Sequence, residues 1–106
     1  MAVAHVGGKE FEKQVLGSKI PVLVDFYTEW CPPCREMAPI LETLEAEMKG
    51  KVKIVKVDIE EERELAENYE VENIPTFIIF KGGKEISRDR GMHPRELMKM
   101  WLEQVV

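Results

Sequence analysis

Three runs of apolar, largely β-branched residues mark the chain: "IPVLVDFY" (Ile20–Tyr27), "KVKIVKVDI" (Lys51–Ile59) and "TFIIF" (Thr76–Phe80). Runs of this kind read as strands covered on both faces. Between and around them the apolar residues recur at helical spacing. Phe11 and Val15 lie in "GKEFEKQVLG", where Gly17 is a stop signal. From Cys31 to Gly50 a long helical pattern places Ile40, Leu41, Leu44 and Met48 on one side. Pro39 sits inside it and should kink it, because it lacks an amide donor and crowds the preceding turn. "EEERELAENYEV" (Glu60–Val71) predicts a helix with Leu65, Ala66 and Tyr69 inward and an acidic first turn. "KGGK" marks a tight hairpin at Gly82 and Gly83, followed by a more polar edge strand, "EISRDR". The last helix, "HPRELMKMWLEQV", starts near Pro94 and carries an apolar stripe of Leu97, Met98, Trp101, Leu102 and Val105. With a short first strand in "AVAHV" (Ala2–Val6), the order is βαβαβαββα. Early crossovers predict parallel pairing and the final hairpin antiparallel pairing, hence a mixed sheet covered on both faces.

The 106 residues fit one domain, expected to span residues 1–106. A hydrophobic share of 44% suffices for a core without metals or cross-links. The net charge of −5, with no basic block to offset it, argues against a nucleic-acid partner. No run approaches membrane-spanning length, so no membrane role is expected. The opening "MAVAHVGGKE" lacks a charged segment followed by an apolar one, so the cytoplasm is the expected compartment. No Gly-rich nucleotide loop is present, so no bound cofactor is expected.

Both cysteines fall in "EWCPPC". A structural zinc site needs four ligands, and His5 and His93 lie far apart in the sequence. A structural cross-link closing so short a loop contributes only about 2 kcal/mol, and a reducing cytosol would open it. A reactive dithiol accounts for the position best. Cys31 falls where a buried strand ends and a helix begins, and the positive end of the helix dipole favours a thiolate. Cys34 lies one turn on, within reach of the first sulfur. Helix geometry makes Cys31 the exposed member and Cys34 the shielded one.

At these residues the chain resembles the thioredoxin family. The likeness is carried by "VDFYTEWCPPC", by Pro39, by "VKVDIE", by "NIPTFIIF" with "KGG", and by Gly91 before the last helix. It covers essentially the whole length. It implies an α/β thioredoxin fold, a five-stranded mixed sheet flanked by four helices, and a monomeric dithiol–disulfide oxidoreductase. It also implies protein disulfide substrates and a redox-active disulfide re-reduced by an external partner such as a thioredoxin reductase. By position, Cys31 becomes the nucleophile, Cys34 the resolving thiol and Pro75 a cis-proline whose neighbour Ile74 offers backbone to a bound peptide. Trp30, Ile74 and Gly91 become the contact surface around Cys31.

Two charges interrupt the apolar strands. Asp25 reads either as an ordinary strand-end charge or as a desolvated proton acceptor for Cys34 with a raised pKa. Lys56 reads either as its partner on an adjacent strand or as a lysine whose tip reaches solvent. Pro32 stands where the family commonly has glycine. Neither Pro32 nor Pro33 can donate an amide to the Cys31 sulfur, which leaves Cys34 as the nearest donor and should keep the Cys31 pKa higher than glycine would. Arg88 and Arg90 precede Gly91, as charges that favour acidic partners or that simply protect an edge strand. The same cysteine chemistry run in reverse would make an oxidase or isomerase, and a redox-independent binding module is the further alternative.

Overall fold

The computed structural model describes residues 3–106. The strands are β1 (Ala4–His5), β2 (Val22–Tyr27), β3 (Lys53–Asp58), β4 (Thr76–Lys81) and β5 (Lys84–Arg90). The helices are α1 (Gly8–Phe11), α2 (Pro32–Glu47), α3 (Arg63–Asn68) and α4 (Arg95–Glu103). Ala2, expected in the first strand, lies outside the described residues. Helix α1 runs into a π-helical stretch, Glu12–Leu16, which closes when Gly17 N donates to Glu12 O at 2.7 Å.

One five-stranded sheet has the order β1-β3-β2-β4-β5. The pairs β1–β3 and β3–β2 are parallel, whereas β2–β4 and β4–β5 are antiparallel. The expected mixed sheet is therefore present. Gly82 and Gly83 both take positive φ, 63° and 80°, as the tight β4–β5 turn requires.

Alternation along the central strands divides the core in two. Leu23, Ile54, Phe77 and Ile79 face Met37, Leu41, Leu44 and Met48 of the α2 segment and Met98 and Leu102 of α4. Val22, Val24, Phe26, Val55, Val57, Ile78 and Phe80 face Phe11, Val15, Leu65 and Tyr69. Because β2 is sealed on both faces, its one charged residue is buried with it. Helix α2 continues through Pro39, and Ile40 lies at the margin of the core rather than within it.

Two elements differ from the reading above. Helix α3 is shorter than Glu60–Val71. The Asp58 carboxylate accepts the Glu60 amide at 2.9 Å and the Asp58 carbonyl accepts the Glu62 amide, forming a turn that delays the helix. Leu97 is 54% exposed, on the outer side of α4, so the buried stripe narrows to Met98 and Leu102 with Trp101 and Val105 at its edge.

Candidate active site

Helix α2 begins immediately after Cys31, which is its N-cap in extended backbone with φ −92° and ψ 111°. The Cys31 sulfur accepts the Cys34 amide at 3.2 Å, the cap contact expected once two prolines have removed the other donors. Cys31 and Cys34 are joined as a disulfide with their Cα atoms 5.2 Å apart. Cys31 is not the openly exposed sulfur the helix geometry suggested. It is 8% exposed and Cys34 4%, because the Cys31 sulfur is turned inward to its cap contact and its bond. Trp30, just before it, is 74% exposed. Arg35 Nε donates to the Glu29 carbonyl at 2.9 Å and ties the Trp30 loop to α2.

The opposite wall of the site comes from the loop into β4 and the end of β5. The Ile74–Pro75 peptide is cis. Ile74 packs against the cluster of Tyr27, Cys31 and Cys34. Gly91, at φ 83°, donates its amide to the Pro75 carbonyl at 2.9 Å, a backbone conformation that suits glycine. Ile74 thus meets the disulfide, and Pro75 beside it is bonded to Gly91. Arg90 Nη1 donates to Asn73 Oδ1 at 2.6 Å and Arg88 Nη2 to the Tyr69 carbonyl at 2.9 Å, so both arginines tie β5 to the segment between α3 and β4, while Arg88 also pairs with Glu85 of its own strand. His93 hydrogen-bonds the Arg90 carbonyl at 3.1 Å and sits 3.3 Å from Asp89.

Asp25, on the face of β2 that also carries Tyr27, is 1% exposed, with no hydrogen-bond partner for Oδ1. Burial pushes its carboxyl up to about 7, and the charge of Lys56 offsets this only in part. Lys56 stands directly opposite Asp25 in the β2–β3 register. It does not ion-pair with that carboxylate. Its Nζ lies over the Tyr27 ring, 4.4 Å from the centroid.

Sequence reasoning missed the aromatic part of this arrangement. The Tyr27 hydroxyl hydrogen-bonds His5 Nδ1 at 3.0 Å. Burial, followed by Asp58, Glu29, Asp25 and Glu61, pushes that hydroxyl up to about 12, so it is neutral near physiological pH. His5, Tyr27, Lys56, Trp30, Cys34 and Ala38 line a cleft of about 460 Å³ beside the inner sulfur. The signal was available: Tyr27 is two residues from Asp25 and must share its face of β2.

Among the described residues no group of His, Cys, Asp or Glu is arranged to hold a metal ion, and no helix is long and apolar enough to cross a membrane. What the site offers is a dithiol/disulfide couple at a helix start, packed against Ile74 of a cis-peptide loop, with a buried carboxyl raised to about 7 on the adjoining strand. It is the site of a thiol–disulfide oxidoreductase. A family model described as Thioredoxin matches residues 2–104. Thioredoxin 1 of Nostoc sp. (strain PCC 7120) is 40% identical over 102 residues, 96% of this chain and 95% of its own. The thioredoxin of Rickettsia bellii is 39% identical over 99 residues, covering 93% and 94% of the two chains, and that of Synechocystis sp. is 39% identical over 102 residues. The chain belongs to the thioredoxin family. Its mixed five-stranded sheet with four helices is the thioredoxin fold, and it is a protein-disulfide reductase acting through the Cys31–Cys34 dithiol.

Proposed function

We propose that the chain is a general cytoplasmic reductant of protein disulfides, working as a single-domain monomer and recharged by a separate thioredoxin reductase. The observation that carries the division of labour is the cap contact: Cys31 begins α2 and its sulfur accepts the Cys34 amide. That contact and the helix dipole stabilise a thiolate on Cys31 in the reduced protein. The Cys31 thiolate attacks one sulfur of the substrate disulfide. A Cys31–substrate mixed disulfide forms and the other substrate sulfur leaves as a thiolate. Cys34 then gives its proton to the Asp25 carboxylate and attacks the Cys31 sulfur. The Cys31–Cys34 bond closes, the second substrate thiol is released, and two electrons have passed to the substrate. Re-reduction needs two electrons and two protons from the external reductase.

Substrate lies across Trp30, Ile74, Pro75 and Gly91. The Ile74 backbone pairs with an extended peptide as an added strand would, and the exposed Trp30 supplies an apolar contact. Lys56 supports the step by biasing Asp25 without neutralising it.

Equilibrating Cys31–Cys34 with a dithiol reference tests the direction of flow. A midpoint near or below about −250 mV is expected for a reductase. A value near that of strong oxidants would overturn the reading in favour of an oxidase or isomerase. Cys31→Ser should abolish turnover, and retention of cellular activity in that variant would favour the binding-module alternative.

A further inference from the structure

The sheet register sets three side chains in one row on the α2 face: His5 on β1, Lys56 on β3 and Asp25 on β2. Tyr27 is one step along β2 from Asp25, on the same face. A lysine in register with an aspartate on the adjacent parallel strand can close an ion pair. Here it does not. Asp25 Oδ1 has no partner, and the ammonium instead lies over the Tyr27 ring. The ring cannot easily yield, because it is fixed at both ends. Its hydroxyl is bonded to His5 Nδ1, and its body packs against Cys31 and Cys34.

We propose that Tyr27 is a positioning residue for the resolving half-reaction: its ring holds the Lys56 ammonium off the Asp25 carboxyl, leaving that carboxyl free to exchange a proton with Cys34. Two physical terms favour the ring. The aromatic face attracts the cation, and the cleft keeps the ammonium partly hydrated. Moving it against Asp25 would strip that hydration at a carboxyl only 1% exposed. The chemical consequence lies in what a closed pair would do. A carboxylate captured by an ammonium is held in its charged form and takes up the Cys34 proton poorly. An ammonium held nearby biases Asp25 without capturing it.

The groups that face this arrangement are few. Lys56 of β3 is the cation that acts on Asp25. Asp58 of β3, with Glu29 and Glu61 from the adjoining loops, acts on Tyr27. β1 contributes His5, the N-cap of α2 contributes Cys31, and α2 contributes Cys34 and Arg35. On β4 the residue opposite Asp25 is the apolar Phe77, and α4 contributes the apolar Met98 and Leu102.

The inference rests on the proposed role of Asp25, and the test separates the two. The Asp25 carboxyl is titrated by carbon NMR in the oxidised protein, where the cysteines do not ionise. The pH profile of mixed-disulfide resolution is then measured by single turnover. Tyr27→Leu removes the ring and is expected to lower the Asp25 midpoint by about one pH unit or more as Lys56 reaches the carboxylate. Tyr27→Phe keeps the ring and is expected to leave the midpoint near wild type. Adding Lys56→Gln to Tyr27→Leu should restore a midpoint at or above wild type. Tyr27→Met is the second ring-free variant if the leucine protein does not fold. An unmoved or raised midpoint in the ring-free variants overturns the holding of Lys56 by Tyr27. A midpoint that falls without the resolution profile following it overturns the proton-transfer role of Asp25, and the kinetic half of the inference with it.

Discussion

Asp25 couples the chemistry of the site to the stability of the whole domain. In the unfolded chain its carboxyl ionises at the ordinary 3.8, whereas in the fold it ionises at about 7. A raised carboxyl favours the folded state while it is protonated there. That contribution is complete below the unfolded value and is lost as pH rises through the folded one. At about 1.4 kcal/mol for each tenfold change in proton affinity, the rise corresponds to about 4 kcal/mol of destabilisation in alkaline solution. Roughly 3 kcal/mol of it develops between about pH 5 and about pH 9. Asp25→Asn removes the titration and keeps the shape, so the variant should lose this component of the pH dependence. Urea unfolding of the oxidised wild type and variant across that range is the assay. The difference between the two proteins should widen with pH in the variant's favour. A constant difference at every pH would refute the reasoning, since Asp25 would then titrate alike folded and unfolded.

Three further outcomes follow from the geometry. Cys34→Ser should trap the Cys31 mixed disulfide with a protein substrate, readable as a covalent adduct by mass spectrometry, whereas Cys31→Ser should form none. Pro33 occupies the second helical position, where an amide would point at the cap, and Pro32 the first. Pro33→Ala should therefore lower the Cys31 thiol pKa by about one unit and Pro32→Gly by less, as followed by thiolate absorbance. Leu102→Ala should cost about 2–5 kcal/mol in urea unfolding because the residue is fully buried, while Leu97→Ala stays within about 0.5 kcal/mol.

Most of the fold was written in hydrophobic period. Val22–Tyr27 and Thr76–Phe80 are unmistakable as buried strands because both faces of each are covered. The alternation that placed Leu97 in the core failed for a geometric reason. A short helix lying on a sheet buries a narrow stripe, and Met98 and Leu102 fill it. The late start of α3 was hidden because Asp58 serves at once as the end of β3 and as the acceptor for the following turn. At the site, the position of Cys31 at a helix start was legible, and so was the juxtaposition of Asp25 with Lys56. The depth of Cys31 and the choice of Lys56 between a carboxylate and a ring were not. Both depend on side-chain directions set by neighbours far away in sequence: His5 for the ring, and Ile74 for the cover over the sulfurs.

The outermost strand on that side of the sheet is β1, and it has two residues. Its backbone attachment is a short parallel pairing with β3, extended by the Val6 amide on the Lys56 carbonyl at 2.9 Å, with Val3 and Val6 buried on either side. Strands held by so few bonds detach at a lower free energy than the central ones, without the domain unfolding. In deuterated solvent the Val6 amide should exchange well before those of β2 and β4. Each such opening withdraws His5 from the Tyr27 hydroxyl and leaves the ring held by Lys56 and the sulfurs. The reactive centre is thus joined on one flank to central strands of the sheet and on the other to a two-residue edge strand. The lifetime of the aromatic wall is then set by local detachment of β1, on a clock separate from global unfolding.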